Sequence, residues 1–360
     1  MIIGVDAGAL SISDKRLKVG VWRVTFELLK HLSVIDTANE YRMYSFAPIE
    51  KKIMMEMGKS MENIVLSPSV GYMKFRLPLE LMQRPVDIFL GLSQALPPNI
   101  SVKTIGCVYD LAFLHMGKSY GMSFNRLKKQ TEDVVRRSDH LVTISQFSKK
   151  DIMEFYGVPR EKISVCYPGV TRMNSLSTKS PNTIPYILFV GALKPAKQIP
   201  LAIKGFKAFF SQTKRRYDFL LVGGDYWMDP EIRSTIESLH LTERVHIVGY
   251  VSDDRLPAYY SHASAFLTLG SWEGFCMPAV EAMAYGCPVV YARSGATPEI
   301  VGDAGIPVNP LDHDEIGRAL HKMTTHASFG SSCIQKGKKR ASQFTWKRFG
   351  KQWLEIINKI

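Results

Sequence analysis

Short apolar runs alternate with longer amphipathic stretches along nearly the whole chain. Residues 2–5, 86–90, 104–108 and 140–144 read as buried strands, whereas 21–32 and 148–155 carry apolar residues at helical spacing. From residue 184 the pattern restarts, with strands predicted at 186–190, 218–222, 245–248, 265–269 and 288–291. Helices are predicted between them at 200–210, 230–239, 253–262 and 275–285. Strand–helix alternation predicts right-handed parallel crossovers and open sheets covered on both faces. The stretch from 170 to 185 is polar, rich in Ser, Thr and Asn, and without period, as a linker would be. The expected fold class is therefore α/β, with two doubly wound, Rossmann-like domains facing across a cleft. The first spans 1–170 and the second 185–341, and the last helix, in 342–360, packs back on the first.

Composition narrows the function classes. A chain of 360 residues that is 46% apolar can bury two cores, which excludes wholesale disorder. Lys and Arg number 46 against 33 for Asp and Glu, a net charge of +13 spread over both halves. Such a surface favours phosphate groups, acidic lipids or nucleic acid without choosing among them. The five cysteines are widely spaced, which fits a reducing compartment better than a disulfide framework or a zinc site. The start of the chain lacks the features of a signal peptide, and no run of about 18 apolar residues occurs. The expectation is a cytoplasmic protein, attached at most to the inner face of a membrane.

Ligands of open parallel sheets sit beyond the carboxyl ends of the strands. The most informative strand-end loop is LTLGSWEGFCMPAVEAMAYGCPVV, residues 267–290. Gly274 permits a tight turn, a helix is expected to begin near Phe275, and Pro278 is tolerated in its first turn. The free amides of Phe275, Cys276 and Met277 then form an anion nest at the positive end of the helix dipole. Glu273 stands at the lip of that nest, and Glu281 lies about two turns into the helix. Carboxylates flanking an anion site suit a ligand with a diphosphate centre and hydroxyl groups at each end, such as a nucleotide sugar. Glu281 would take the ribose and Glu273 the sugar. The plainer alternative makes Glu273 a cap for backbone amides and Glu281 a solvated helix residue.

The segment EGFCMPAVE resembles the Glu–seven residues–Glu motif of the retaining glycosyltransferases of family 4, which have the two-domain GT-B fold. The family usually shows Glu-Gly-Phe-Gly where this chain has Cys276, a change tolerable if residue 276 is helical. SDHLVTISQFSKKDIMEFYGVPREKISVCYPGV (138–170), VHIVGYVSDDRLPAYYSHA (245–263) and ATPEIVGDAGIPVNPLD (296–312) resemble the family in its own order. The resemblance covers most of 138–320; residues 1–137 follow the family only loosely.

Three other loops extend the resemblance. FVGALKPAKQ (189–198) places Gly191 at a strand end, with Lys194 and Lys197 beyond it, where the family has a basic pair for the phosphates. Lys197 matches the family's lysine; Ala196 replaces a common Arg position, for which Lys194 is the substitute, although the two cations differ in phosphate geometry. LKVGVWRVTFELL (17–29) resembles the first glycine-containing loop, with Gly20 approaching the diphosphate. CVYDLAF (107–113) resembles the His–Asp loop, with Tyr109 where His is usual and Asp110 placed to orient sugar or acceptor. Gly249, Tyr250 and Val251 are expected to frame the base. Each of these loops also has a plain structural reading as a turn, a cap or a solvated surface.

Two other features are set aside. Asp312, His313 and Asp314 look like a metal clamp, but they precede an amphipathic helix and are better explained as its cap. The basic run from Lys336 to Lys351 interleaves with Phe344, Trp346 and Phe349 and reads as a solvated helix face rather than a nucleic-acid surface.

The resemblance implies transfer of a hexose, with mannose as the expected sugar, from a GDP- or UDP-linked donor, with retention at the anomeric carbon. The acceptor would be a hydroxyl of a growing glycan or a lipid-linked molecule, as in O-antigen or other cell-surface polysaccharide synthesis. No metal or other cofactor is expected, because lysines and helix dipole supply the positive charge. The basic surface around Met122, Phe124 and Arg126–Lys129 suggests an anionic membrane as a partner. A sugar-nucleotide epimerase of the same fold, or a non-catalytic basic protein binding nucleic acid or glycan, are the competing classes. No nucleic-acid partner is expected, since it would leave the paired glutamates without purpose.

Overall fold

The computed structural model describes residues 1–14, 20–171, 179–224 and 228–360. The expected linker falls partly on residues 172–178, outside the described ones. The chain divides into two compact units. One comprises Met1–Gly169 together with Thr345–Ile360, and the other Val170–Phe344. Each is built on a fully parallel sheet, as strands joined by helical crossovers require.

The first unit holds β1 (Ile2–Asp6), β2 (Glu40–Ser45), β3 (Met61–Val65), β4 (Ile88–Gly91), β5 (Lys103–Cys107), β6 (His140–Thr143) and β7 (Ile163–Val165). Their order across the sheet is β3-β2-β1-β4-β5-β6-β7. Strands β4 and β6 bury nearly every residue, which is why they read from the sequence as continuous apolar runs. β2, β3 and β7 did not stand out in the sequence: β3 and β7 are partly exposed edge strands, and β2, next to the edge, also mixes polar with apolar residues.

The second unit holds β8 (Tyr186–Val190), β9 (Asp218–Val222), β10 (Val245–Gly249), β11 (Ala265–Thr268), β12 (Val289–Ala292) and β13 (Gly305–Val308). Their order is β10-β9-β8-β11-β12-β13. The core on one face packs Phe206, Phe209 and Phe219 with Ile199, Ile203 and Ile316. Helices Ile199–Gln212 and His313–Thr325 meet closely there, because Gly205 and Gly317 carry no side chain to hold them apart.

Helix Trp346–Ile357 lies on the first unit, against helix Gly20–Ile35, with Gly350 beside His31 and Ile35. Thr345 caps it by accepting a hydrogen bond from the Arg348 amide. Trp346, Phe349 and Trp353 are buried and stack edge to face, so this helix is held by its aromatic stripe. Among the described residues no helix is long and apolar enough to cross a membrane.

Trp353 is fully buried. Replacing it with Ala is expected to destabilise the first unit by about 3–5 kcal/mol. Denaturant unfolding followed by fluorescence of the remaining tryptophans checks this; an unchanged midpoint would show that the helix contributes nothing to that unit.

Candidate functional site

In the second unit the direction of chain progress reverses between β8 and β11, which are hydrogen-bonded neighbours. The loops leaving two such strands diverge and open a crevice above the sheet. The lysine loop follows β8 and the glutamate loop follows β11, so the topology alone brings these distant segments together.

The lysine loop is fixed from below. The Gly191 amide donates to the Val222 carbonyl at 2.9 Å, the Leu193 amide donates to Gly224 at 3.2 Å, and the Leu193 side chain is fully buried. A 3-10 turn, Pro195–Lys197, leads into helix Ile199–Gln212. The Lys197 amide donates to the Lys194 carbonyl at 2.9 Å, so both lysines belong to one tight turn. Lys197 Nζ donates to Glu273 Oε1 in a close ion pair, with side-chain exposures of 18% and 14%.

Glu273 owes its position to two glycines. A Cβ at Gly270 would collide with the Glu273 carboxylate, so only glycine lets the acid fold over the strand end. Gly295 has φ +65°, and a Cβ there would stand 2.9 Å from the Glu273 amide nitrogen. The next residue, Ala296, donates its amide to the Glu273 carbonyl at 2.9 Å. Gly270 and Gly295 went unnoticed in the sequence, where single glycines in strand-end loops carry no distinctive pattern.

Cys276 departs from the expectation of a helical backbone. Its φ and ψ are 61° and 61°, in the left-handed region, and the helix starts one residue later, as Met277–Ala284. The chain reverses its hand at this point to enter the helix, a geometry that glycine adopts without cost and a cysteine adopts at about 1–2 kcal/mol. The expected start near Phe275 is thus corrected by two residues. The Cys276 side chain is buried, with Sγ 3.8 Å from Thr268 Oγ1. Burial pushes its thiol up to about 12, and the nearby Glu273 carboxylate adds to the shift while Lys197 opposes it.

Glu281 is not a solvated helix residue. It is buried and accepts a hydrogen bond from the Tyr260 hydroxyl at 2.8 Å, and Tyr260 stacks on Tyr285 at 5.9 Å. Burial and the adjacent carboxylate raise the Tyr260 hydroxyl well above the usual phenol range, so it stays a donor. Tyr260 is a site residue that sequence reasoning missed, because a tyrosine in a crossover helix looks like any core aromatic. Phe275 is buried and packs edge to face on Phe344, while Gly274 is buried beside it. Tyr250 and Val251 follow β10; Tyr250 is half exposed, and the Gly223 amide ties the strand end by donating to Gly249.

The remaining candidates lie in the first unit, apart from this group. Gly20 opens helix Gly20–Ile35, and residues 15–19 of its loop lie outside the described ones. Asp110 accepts from the Ala112 amide at 3.1 Å in a local turn. Tyr109 is buried and donates its hydroxyl to the Leu92 carbonyl at 2.8 Å, so it does not present a polar group as a histidine would. This unit holds instead a cavity of about 1430 Å³ at the ends of β1 and β4, its own reversal point. Asp6, Tyr72, Ser93 and Trp22 line it. Asp6 is buried and accepts from the Gly8 amide at 3.1 Å and the Tyr72 hydroxyl at 3.2 Å; burial raises its carboxyl above the usual range.

The features set aside from the sequence have structural roles. Asp312 caps helix His313–Thr325 by accepting from the Glu315 amide at 2.8 Å. Among the described residues no cluster of three or more His, Cys, Asp or Glu could hold a metal ion. Phe344, Trp346, Phe349 and Trp353 are all buried, so the basic run offers no aromatic stacking platform for nucleic acid. Phe124, expected on a surface patch, packs against Phe113 at 6.2 Å.

Residues 174–340 match the family described as glycosyl transferases group 1, and residues 89–172 match glycosyltransferase family 4. The two matched stretches together take in most of the chain, and both describe glycosyltransferases. It is 27% identical over 236 residues to O-antigen chain mannosyltransferase B of Escherichia coli, covering 61% of this chain and 60% of that one. The chain therefore spans less than two thirds of the length of that relative. In fold it matches sucrose-phosphate synthase of Thermosynechococcus elongatus, with a TM-score of 0.78, 17% identity and coverage of 99% and 98%. It also matches Anabaena HepE solved with UDP and glucose, with a TM-score of 0.75, 19% identity and coverage of 100% and 99%. The fold is GT-B.

All five cysteines are buried and unpaired with one another, and burial raises each thiol; Cys107 and Cys276 reach about 12. The native protein at pH 8 is expected to show no fast thiol toward Ellman's reagent, and all five on denaturation. A rapid native equivalent that disappears in Cys276→Ser would overturn the packing described for that residue.

Proposed function

We propose that the protein is a retaining glycosyltransferase. It moves a hexose, with mannose as the sugar, from a GDP- or UDP-linked donor to a hydroxyl of a growing glycan or a lipid-linked acceptor, as in cell-surface polysaccharide synthesis. The observation that carries this reading is the Lys197–Glu273 pair at the reversal point between β8 and β11, beside a helix entrance. The Escherichia coli relative is a mannosyltransferase, and the Anabaena neighbour holds UDP and glucose, which supports the donor class.

The hard event is departure of a nucleoside diphosphate, when negative charge gathers on its outer phosphate. Lys197, assisted by Lys194 and the amides of 275–277, meets that charge more strongly in the transition state than in the ground state. Glu273 then holds sugar hydroxyls, and Glu281 holds the ribose. Residues 249–251 frame the base. The departing phosphate oxygen takes the acceptor's proton, so the reaction calls on no separate strong base, metal or other cofactor.

A thermal-shift screen with GDP, UDP and ADP, followed by nucleoside diphosphate release from the matching sugars, tests the reading. Stabilisation by none of them would refute it. Lys197→Ala is expected to lower kcat by about 100- to 1000-fold, roughly 2.7–4 kcal/mol, with donor affinity changed far less. Steady-state kinetics with calorimetric binding separate the two, and an unchanged kcat removes Lys197 from the chemistry. Glu281→Ala is expected to weaken nucleoside diphosphate binding about tenfold or more, from loss of a charged hydrogen-bond acceptor. Tyr260→Phe serves as the control, and equal losses in both variants would assign Glu281 to packing instead.

A further inference from the structure

In the first unit, a π-helical turn, Tyr72–Arg76, runs directly into helix Leu77–Gln83. One side of this segment is core: Tyr72, Leu77 and Leu81 are buried among Tyr44, Phe89 and Val135. The other side is apolar too. Phe75, Leu79 and Met82, at i, i+4 and i+7, are 72%, 55% and 75% exposed. Val70, just before the turn, is 83% exposed. Lone exposed apolar residues occur elsewhere, at Val34 and Met55, but these four fall along one short segment. A soluble protein gains nothing by holding four such side chains in water along so short a stretch.

Charge identifies what would cover them. Lys74 and Arg76 are exposed within the same segment. The cavity described above is lined by Lys74 and Phe75 together with Arg126, Lys129 and Arg136, so it joins this segment to helix Ser123–Arg137. Fully exposed Met122 and exposed Lys128 lie at that helix start. The nearby acids are largely answered within the unit: Glu62 and Glu80 pair with Arg84, Asp133 with Arg136 and Arg137, and Glu132 with Lys128. An apolar stripe among surplus cations fits an anionic bilayer, which takes the side chains into its acyl boundary and the cations at its headgroups.

We infer that segment 70–83 is an interfacial docking element that seats the first unit on an anionic membrane, with Phe75, Leu79 and Met82 inserted and Lys74, Arg76, Arg126 and Lys129 on the headgroups. This deepens the reading of a lipid-linked acceptor, because the 1430 Å³ cavity then opens at the membrane surface where such an acceptor resides. The surface expected from the sequence at 122–129 becomes the smaller part of this face, and the larger part is the segment that sequence reasoning passed over.

The test is co-sedimentation of the full chain with vesicles, in the absence of donor and acceptor. Vesicles of one part phosphatidylglycerol to two parts phosphatidylcholine are expected to bind the protein, and pure phosphatidylcholine vesicles at least tenfold less. Binding should fall about fivefold for Lys74→Ala and again for Lys129→Ala, and should weaken in 0.5 M NaCl. The triple variant F75S/L79S/M82S, altered only at exposed positions, is expected to lose at least tenfold while keeping its melting temperature. Equal binding by the triple variant, or equal binding to neutral vesicles, would overturn the proposal. So would a dimer in sedimentation equilibrium that the triple variant dissociates, since the stripe would then belong to a second copy. Nucleoside diphosphate binding by calorimetry without vesicles stands apart: its loss would refute the donor reading and leave the docking result intact.

Discussion

Lys197 and Glu273 are 76 residues apart in the chain and mostly withdrawn from water. Neither charge would be tolerated alone at that depth, and each is made acceptable by the other. The pairing requires the ends of β8 and β11 side by side, a bare Gly270 beneath the carboxylate and a left-handed Gly295 behind it. The order of strands, the two glycines and the chemistry of the loop are therefore one constraint seen from three sides. In the proposed reaction, a phosphate arriving at this point would meet a cation already oriented by its acid. Such preorganisation keeps the cost of orientation out of the reaction step.

The second unit was more legible in the sequence than the first, for a physical reason. Strands buried on both faces need unbroken apolar runs, and β8 and β9 were bounded in the sequence as they stand in the structure. β2 and β3 lie toward the edge of their sheet, where one face meets water and the run breaks up. The glutamate loop stood out in the sequence through its likeness to the Glu–seven residues–Glu motif, set between an apolar run and a helical pattern. Cys276 was misjudged because a sequence shows which residue replaces a glycine but not the backbone angle that the glycine served. Glu281 was read as a ligand-facing acid; the sequence carries no sign that Tyr260 would reach it, since the partners lie on different helices.

The two units put polar and apolar groups to contrasting use. In the second, charge is gathered inward, around one crevice, on loops held by backbone hydrogen bonds. In the first, buried Asp6 lines a wide cavity whose walls also include cations and apolar side chains. A small, highly charged ligand suits the former, and a larger amphipathic one the latter.

The chain leaves the first unit at Gly169 and re-enters it at Thr345, so the second unit is an insertion within the first. During synthesis every strand of both sheets emerges before the helix that completes the earlier one. The first unit to appear is thus finished only after the second, and its face on helix Gly20–Ile35 stays uncovered until helix Trp346–Ile357 is made. A chain interrupted just after Thr345 would have a whole inserted unit and an older unit with an aromatic-sized gap, a natural target for chaperones and quality-control proteases.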